Sequence, residues 1–328
     1  MEKGEAIVVK NAGSHFFLSR LPEWSPFPAV LRGKVRLGRN VSTNPVAVGD
    51  RVEYYMDGDV SLPGDAGAGP DDRQPFGQGI AVISSVLDRR NYIIRKSTNL
   101  SRQNHVIAAN LDRAVIAVSL FFPEIKLPFL DRVLVTCEVY GVKPLIVLNK
   151  VDLYRDEAPD AVEDFVRIYT GAGYKVIQTS CKTGEGIDTL RQECSAGVSL
   201  FSGESGVGKS SLIKALDPSL DPKIGRISAA HLQGRHTTSL YEMYPLDSGG
   251  FIIDSPGLRG FGLVDLKKEE IALYFPEMLR AGRNCRFTPC THTHEPGCAV
   301  KEAVDSGEIS AERYNSYLGM LEEDTKFR

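Results

Sequence analysis

The sequence has no run of about 18 consecutive apolar residues, the length that a membrane-spanning helix needs. Residues 1–5 are polar and lack the apolar core of a secretory signal peptide. The net charge is only −3 at pH 7, so any binding to nucleic acid must come from local patches rather than from the total charge. These absences predict a cytoplasmic protein with no membrane segment.

Cysteine is scarce, with six residues in a chain of 328. Three of the six fall within residues 285–298, and in a cytoplasmic chain such clustering favours a metal site over disulfide bonds. The length allows two or three domains. A composition of 42% hydrophobic and 25% charged residues is ordinary for a soluble globular protein.

One stretch matches the complete phosphate-binding loop G-x-x-x-x-G-K-S. Residues 198–202 predict a strand before it and residues 210–216 a helix after it, which is the context that the motif requires. Backbone N–H groups of such a loop bind phosphate oxygens, while Lys209 is predicted to reach the outer phosphates and the Ser210 hydroxyl to bind Mg²⁺. The residues predicted to surround the phosphates are Gly203, Glu204, Ser205, Gly206, Val207, Gly208, Lys209, Ser210 and Ser211.

The N-terminal region predicts a small β-barrel, because short apolar stretches alternate with turns. The predicted strands are residues 6–10, 15–18, 30–37, 51–56 and 80–86. An oligonucleotide/oligosaccharide-binding (OB) barrel is the first choice and an SH3-like barrel the second. Arg32, Lys34 and Arg36 share one strand face, which suits an RNA backbone, with a solvated outer face as the alternative. A basic cluster that includes Arg89 and Arg90 also favours RNA.

The next region predicts a parallel sheet with helices on both faces, since strand and helix patterns alternate. Predicted strands at 114–119, 145–148, 176–179 and 198–202 alternate with predicted helices at 129–140, 161–172 and 186–193. The second strand ends in the N-K-x-D sequence of guanine-nucleotide proteins. Asp152 can accept hydrogen bonds from guanine N1–H and its exocyclic amine, a donor pair that adenine lacks. Asn149 is predicted to face the O6/N7 edge, and Lys150 to cover the base.

The third strand ends in Ser180, Cys181 and Lys182, close to the Ser-Ala-Lys element whose backbone N–H contacts guanine O6. After the phosphate loop, a threonine within residues 234–239 is predicted to complete the Mg²⁺ shell, and Thr238 is favoured, with a plain surface loop as the alternative. Residues 240–244 and 250–253 predict two further strands, followed by a D-x-x-G motif.

In that motif Asp254 is predicted to hold Mg²⁺ through water, and the Gly257 N–H to sense the γ-phosphate. Position 258 is Leu, which cannot orient an attacking water as Gln does, so slow intrinsic hydrolysis is expected. His236 is a candidate for that role, and an ordinary surface histidine is the alternative.

The order of the motifs predicts a circularly permuted GTPase. Conventional GTPases run from the phosphate loop through the switch threonine and D-x-x-G to N-K-x-D and S-A-K. In this chain N-K-x-D and S-C-K come first, and the phosphate loop, the threonines and D-x-x-G follow. The predicted domains are an OB-type RNA-binding barrel (1–95), the permuted GTPase domain (96–265) and an α-helical zinc-binding domain (266–328).

The cysteine cluster predicts structural Zn²⁺. Cys285, Cys290, His292 and Cys298 give a Cys₃His set suited to a tetrahedral ion. His294 competes with His292 on spacing alone, and buried free cysteines are the alternative. Helices are predicted at residues 267–275 and 311–323, and a domain this small should gain stability from the metal.

Together these features resemble the bacterial small ribosomal subunit biogenesis GTPases, the RsgA (YjeQ/YloQ) family. The most specific parts are the permuted motif order, the segment 235–238, the motif 254–257 and the cysteine block ending at residues 295–300. The resemblance implies an OB barrel, GTP hydrolysis stimulated by the 30S subunit, and a late role in 30S maturation. It also implies that His292 rather than His294 joins the three cysteines. The chain departs from the usual pattern at Cys181, Ser239, Gly260 and the long segment 57–79.

The leading hypothesis is a GTPase whose barrel and zinc domain hold the 30S subunit and its 16S rRNA, with hydrolysis triggering release. The rival is an RNA-binding chaperone that uses GTP as a conformational ligand rather than for turnover. A monomer is the default oligomeric state.

Overall fold

The structure, a computed structural model, describes residues 3–13, 15–36, 45–58, 80–96, 104–220, 241–255 and 266–323. It divides into two compact units. The first unit comprises Met1–Asp112, Cys194–Leu200 and Asp217–Pro256, and the second comprises Arg113–Glu193, Phe201–Leu216 and Gly257–Arg328. Within the described residues, no helix is long and apolar enough to cross a membrane.

The first unit contains a closed five-stranded barrel. Its strands are β1 (Lys3–Asn11), β2 (Phe16–Ser19), β3 (Phe27–Arg36), β4 (Arg51–Asp57) and β5 (Ile80–Val86). β1 pairs with β2 and β2 with β3 in antiparallel fashion, β3 pairs with β5 in parallel, and β4 pairs with both β5 and β1. This order, 1-2-3-5-4 with closure onto β1, is that of an OB barrel. The predicted OB barrel is therefore confirmed, and the SH3-like alternative is not.

Alternation of side chains fills the barrel. In β4, for example, Val52 and Tyr54 are buried while Arg51 and Glu53 are exposed, as a strand with one solvated face requires. Val8, Leu18 and Ile83 from three other strands join the same buried cluster. The side chains of residues 32–36 lie outside the described part of the chain, so the predicted basic face stays a prediction.

One residue of the basic cluster after the barrel, Arg89, was predicted to favour RNA but forms a buried ion pair. Arg89 is 5% exposed and donates to both carboxylate oxygens of the fully buried Asp50, at 2.7 Å each. A guanidinium held by two parallel bonds in a buried pocket serves the fold rather than a phosphate. Arg90 is exposed but binds Asp112 at 2.8 Å. The assignment of Arg89 to an RNA surface was wrong.

Two pairs of strands extend the first unit. The hairpin of β6 (Tyr92–Lys96) and β7 (Asn104–Ala109) was not predicted, and the expected domain boundary near residue 95 falls inside it. β12 (Glu242–Pro245) and β13 (Phe251–Asp254) form an antiparallel pair. β12 also pairs with barrel strand β1, where Lys10 lies opposite Glu242. Their side chains form an ion pair at 3.0 Å.

The second unit contains a parallel sheet, as predicted. β8 (Arg113–Val118), β9 (Lys143–Asn149) and β10 (Lys175–Thr179) lie in the order β10-β9-β8. The connecting helices are α1 (Leu127–Val139) and α2 (Pro159–Ala172), and α3 (Ile187–Cys194) follows β10. Residues 114–118 of β8 are all buried, because strands covered on both faces are apolar throughout rather than alternating. Strand β11 (Val198–Gly203) and helix α4 (Lys209–Leu216) flank the phosphate loop.

The C-terminal region of this unit is helical. Its helices are α5 (Lys268–Ile271), α6 (Pro276–Gly282), α7 (Ala299–Asp305) and α8 (Ala311–Glu323). The predicted helix at 267–275 was wrong in extent, because α5 ends at Ile271 and a 3₁₀ turn (Ala272–Tyr274) follows. α6 and α7 were missed because each has only seven residues, too few to establish a helical period. Buried residues of these helices pack on Val135 of α1.

Candidate nucleotide site and metal centre

The phosphate loop has the local conformation that its glycines permit. Gly206 and Gly208 have φ of +87° and +96°, a region that residues with a side chain rarely adopt. Lys209, the first residue of α4, is buried. The loop therefore turns at two glycines and delivers Lys209 and Ser210 at the start of a helix, where backbone N–H groups lack partners within the helix.

Asn149 joins the end of β9 to the phosphate loop. Its side chain is 2% exposed. The amide donates to the carbonyl oxygen of Val207 at 2.9 Å, and its oxygen accepts from the Thr179 hydroxyl at 3.0 Å. The N-K-x-D motif predicted that this side chain faces the edge of the base, whereas in the structure it links three motif-bearing segments. Thr179, which completes the link, was not singled out, and its position directly before Ser180 was the available signal.

Lys150 makes a second connection. Its backbone has φ of +67°. The ammonium donates to the carbonyl oxygens of Gly206 at 2.6 Å and Phe122 at 2.5 Å. Lys150 thus connects the N-K-x-D turn with the phosphate loop and with the segment between β8 and α1. Phe122 was not predicted to belong to the site.

Asp152 and Ser180 bring the second and third guanine motifs together. The Ser180 hydroxyl donates to Asp152 Oδ1 at 2.6 Å and accepts the backbone N–H groups of Lys182 and Thr183, both at 3.2 Å. Ser180 is buried, whereas Asp152, Cys181 and Lys182 are exposed. One carboxylate is therefore held in orientation at the surface, and this arrangement can present it to a planar hydrogen-bond donor pair such as the guanine edge.

The remaining predicted nucleotide residues fall in two groups. Asp254 ends β13 in the first unit, opposite Glu242 of β12. His236, Thr238, Gly257 and Leu258 lie outside the described residues, as does most of the segment 57–79. Their roles stay predictions.

The predicted metal ligands converge. One side-chain donor atom from each of Cys285, Cys290, His292 and Cys298 lies within 4.8 Å of the others. His292 Nδ1 is 3.6 Å from the Cys285 sulfur and 3.4 Å from the Cys298 sulfur, and these two sulfurs are 3.9 Å apart. Ligands about 2.0–2.3 Å from a tetrahedral ion lie about 3.3–3.8 Å from each other, so the spacing fits Zn²⁺. The 3.9 Å between the two sulfurs is too long for a disulfide, in which sulfurs are about 2.05 Å apart, and all three cysteines are free thiols.

The donor set, three thiol sulfurs and one imidazole nitrogen, is one that tetrahedral Zn²⁺ takes. Burial, together with the neighbouring thiols, raises the pKa of Cys290 to about 12, so a bound cation has to displace its proton. Burial lowers the pKa of His292, which favours the neutral imidazole that a metal requires. His294 is exposed, and its Nδ1 lies 2.9 Å from the Thr293 hydroxyl, outside the cluster. The Tyr314 hydroxyl donates to the His292 carbonyl oxygen at 2.6 Å.

A carboxylate organises the loop that runs from Cys290 to Cys298 and carries His292. Glu295 accepts the backbone N–H of Thr291 at 2.7 Å, its hydroxyl at 2.6 Å, and the backbone N–H of Thr293 at 3.1 Å. Burial opposes the effect, but these hydrogen bonds hold the pKa of Glu295 far below its usual range. Glu295 was not among the residues predicted to belong to the metal site.

The OB barrel, the permuted order of the guanine and phosphate motifs, and the Cys₃His cluster define a circularly permuted P-loop GTPase with a candidate zinc site. The family model described as RsgA GTPase matches residues 86–264. A curated protein of Bacteroides fragilis (strain YCH46), named small ribosomal subunit biogenesis GTPase RsgA, is 44% identical over 99% of both chains. A Flavobacterium psychrophilum protein of the same name is 42% identical, covering 97% of this chain and 92% of its own.

Two solved structures agree with the fold. YjeQ from Thermotoga maritima covers 100% of both chains with a TM-score of 0.76 and 32% identity. YloQ, described as a circularly permuted GTPase, has a TM-score of 0.70 and 25% identity, covering 100% of this chain and 96% of its own. The chain belongs to the RsgA GTPase family, so it is a GTP hydrolase. Membership implies a guanine nucleotide and Mg²⁺.

Proposed function

We propose that this GTPase binds the small (30S) ribosomal subunit and assists its late maturation, with the subunit stimulating hydrolysis and hydrolysis coupled to release. The observation that carries the nucleotide-dependent part of the proposal is the connection between base and phosphate elements through Asn149 and Lys150. The partner follows from the name that relatives at 44% and 42% identity carry over almost their full length. Because the name that these relatives share describes a GTPase, it does not favour the alternative of an RNA-binding chaperone that uses GTP only as a conformational ligand.

The proposed nucleotide site uses the residues predicted from the sequence. Asp152 accepts the guanine donor pair, and the loop around Cys181 and Lys182 offers backbone N–H groups to the base. The phosphates lie in the loop formed by Gly203, Glu204, Ser205, Gly206, Val207, Gly208, Lys209, Ser210 and Ser211. Bound Mg²⁺ would neutralise phosphate charge, held by Ser210 and Thr238 and, through water, by Asp254. As predicted from the sequence, the Gly257 N–H would sense the γ-phosphate and His236 would position the attacking water.

We also propose one structural zinc ion held by Cys285, Cys290, His292 and Cys298. Metal analysis of the purified protein should give one equivalent of zinc. Cys290→Ser should abolish that content and lower the thermal midpoint, because the metal contributes to folding of the helical region. Cys181→Ser is the matched control and should keep the zinc. Full zinc content in Cys290→Ser would contradict the ligand set.

We propose the domain limits predicted from the sequence, which are 1–95 for the RNA-binding barrel, 96–265 for the GTPase domain and 266–328 for the zinc domain, with the first limit lying inside the β6–β7 hairpin. The barrel and the zinc domain would contact 16S rRNA. A cytoplasmic monomer is the form in which we expect the protein to act.

The deciding experiment is steady-state GTP turnover by the zinc-loaded protein alone, with 30S subunits and with 50S subunits. We expect slow turnover that rises at least about a hundredfold with 30S, within the range that a partner supplies to other GTPases, and little change with 50S. Lys209→Ala should stay inactive under all conditions. Equal stimulation by 50S subunits or by any structured RNA would contradict a specific 30S partner.

A further inference from the structure

A segment outside the recognised motifs lies against the nucleotide site. Residues 119–126, here called the aromatic loop, connect β8 with α1, and the Ile125 N–H donates to the Ser119 carbonyl at 3.1 Å. The loop carries Phe121 and Phe122, which are 42% and 61% exposed. Phe122 is the most exposed of the large apolar side chains in the described part of the chain. Two adjacent exposed phenylalanines are unusual for a surface that binds nothing.

Lys150 connects the aromatic loop to the phosphate loop. The Lys150 ammonium binds the carbonyl oxygens of Phe122 and Gly206, at 2.5 and 2.6 Å, so those two oxygens are about 4–5 Å apart. A Cβ placed on Gly206 would lie 4.0 Å from Pro123 Cδ. The aromatic loop therefore adjoins the phosphate loop on the side where the N-K-x-D turn lies.

The two phenylalanines differ in what they contact. The Phe121 ring packs edge-on against Tyr154 at 5.5 Å, and the Tyr154 hydroxyl donates to the Asn149 carbonyl at 2.7 Å. Phe121 thus supports the N-K-x-D turn from outside. The peptide carbonyl of Phe122 accepts a hydrogen bond from the Lys150 ammonium, but the Phe122 side chain is mostly exposed. Its ring is therefore available to a ligand of the nucleotide site.

We propose that Phe122 covers the nucleoside part of the bound guanine nucleotide and slows its release. The proposal rests on the proposed function only in requiring that a guanine nucleotide occupies this site. A planar base and its sugar offer the aromatic ring a stacking surface, and burial of an exposed phenylalanine favours the bound state. Because the contact reaches the nucleoside and not the phosphates, it should act equally on GDP and GTP.

The test is the dissociation rate of tritiated GDP and of tritiated GTPγS, chased with unlabelled nucleotide and followed by filter binding. An unmodified ribose is needed, since a ribose-linked fluorophore could itself contact the ring. Phe122→Ala should raise both dissociation rates about tenfold, equivalent to about 1.4 kcal/mol, with association rates changed less than about twofold. Phe122→Trp, which keeps an aromatic ring, should release both nucleotides as slowly as the wild type.

Two controls separate this role from a structural one. Leu153→Ala removes another exposed apolar side chain that directly follows Asp152 and should leave release unchanged. The thermal midpoint of nucleotide-free Phe122→Ala should match that of the wild type, because the backbone carbonyl that binds Lys150 remains.

Release from Phe122→Ala within twofold of wild type, or equal acceleration by Leu153→Ala, would overturn the inference while leaving the proposed function intact. Failure of the wild type to bind guanine nucleotide at all would overturn both.

Discussion

The buried charge cluster around Arg313 gives the sharpest stability prediction. Arg313 of α8 is 1% exposed. It donates to Asp131 of α1 at 2.7 Å and to both carboxylate oxygens of Glu277 of α6, at 2.7 and 3.1 Å. Its guanidinium also lies 4.6 Å from the centre of the Phe275 ring. Burial alone would lower the pKa of Arg313, but attraction to the two carboxylates raises it, so the charge is retained.

Replacing this arginine with an apolar side chain leaves two carboxylates buried without their cation. Removing one partner of a buried ion pair costs about 3–5 kcal/mol. For a folded region of 150–250 residues this corresponds to a thermal midpoint lower by about 6–20 °C. We therefore expect Arg313→Met to be strongly destabilised. The stability of Arg313→Lys should lie between those of the wild type and Arg313→Met, because lysine keeps the charge but lacks the planar, forked donors.

Removing the two carboxylate charges as well should restore stability to the Arg313 variant. If the cost comes from the uncompensated carboxylates, the triple variant Arg313→Met, Asp131→Asn, Glu277→Gln should recover more than half of the lost stability. The assay is urea unfolding of the zinc-loaded protein followed by far-ultraviolet circular dichroism. A loss below about 1 kcal/mol for Arg313→Met, the size typical of surface pairs, would refute the reasoning. So would a triple variant less stable than Arg313→Met.

Three further predictions concern other contacts. Gly208→Ala should weaken GDP binding in calorimetry, because its Cβ would lie 2.6 Å from Asn149 Nδ2 at a backbone φ that disfavours side chains; unchanged affinity would contradict this. Glu295→Gln should release zinc to a chelator faster at pH 7, whereas the exposed Glu302→Gln should not. The folded-state pKa of Glu295 is lowered from its ordinary value of 4.5. The ionised carboxylate therefore stabilises the folded protein above pH 4.5, and this contribution to the thermal midpoint should be lost progressively as the pH falls below that value. Lys10→Met removes the ion pair with Glu242, whose partners are 30% and 27% exposed, and should cost less than about 1 kcal/mol in urea unfolding; a larger loss would show that this pair holds β12 to the barrel.

The sequence predicted the barrel and the parallel sheet well because their signals are local. Period-two alternation identifies a strand such as β4, and uniform apolarity identifies a strand such as β8. The hairpin of β6 and β7 was missed because each of its strands is short and polar residues separate them. The basic residues at its start were interpreted by charge alone, which does not indicate whether an arginine such as Arg89 has a buried partner.

The candidate site also has a part that the sequence predicts and a part that it does not. Residue types that bind a ligand through a fixed motif, such as Asp152 or the four metal ligands, could be predicted because the motif carries the chemistry. The contacts that hold those motifs together could not, because they join positions that are distant in the sequence. Asn149 binds a carbonyl 58 positions away, Lys150 binds one 56 positions away, and Arg313 binds an aspartate 182 positions away. A single sequence contains no local signal for such pairs.

The contacts of Asn149 and Lys150 order the base and phosphate elements of the site. In this chain the N-K-x-D and S-C-K segments precede the phosphate loop, so the two sets of elements lie on different segments. Asn149 and Lys150 connect them by donating to carbonyl oxygens of Val207 and Gly206. Acceptors of this kind are backbone atoms, which substitution of the phosphate-loop side chains would not remove. The geometry of the site therefore depends on where the loop backbone lies, and two glycines with positive φ determine that position.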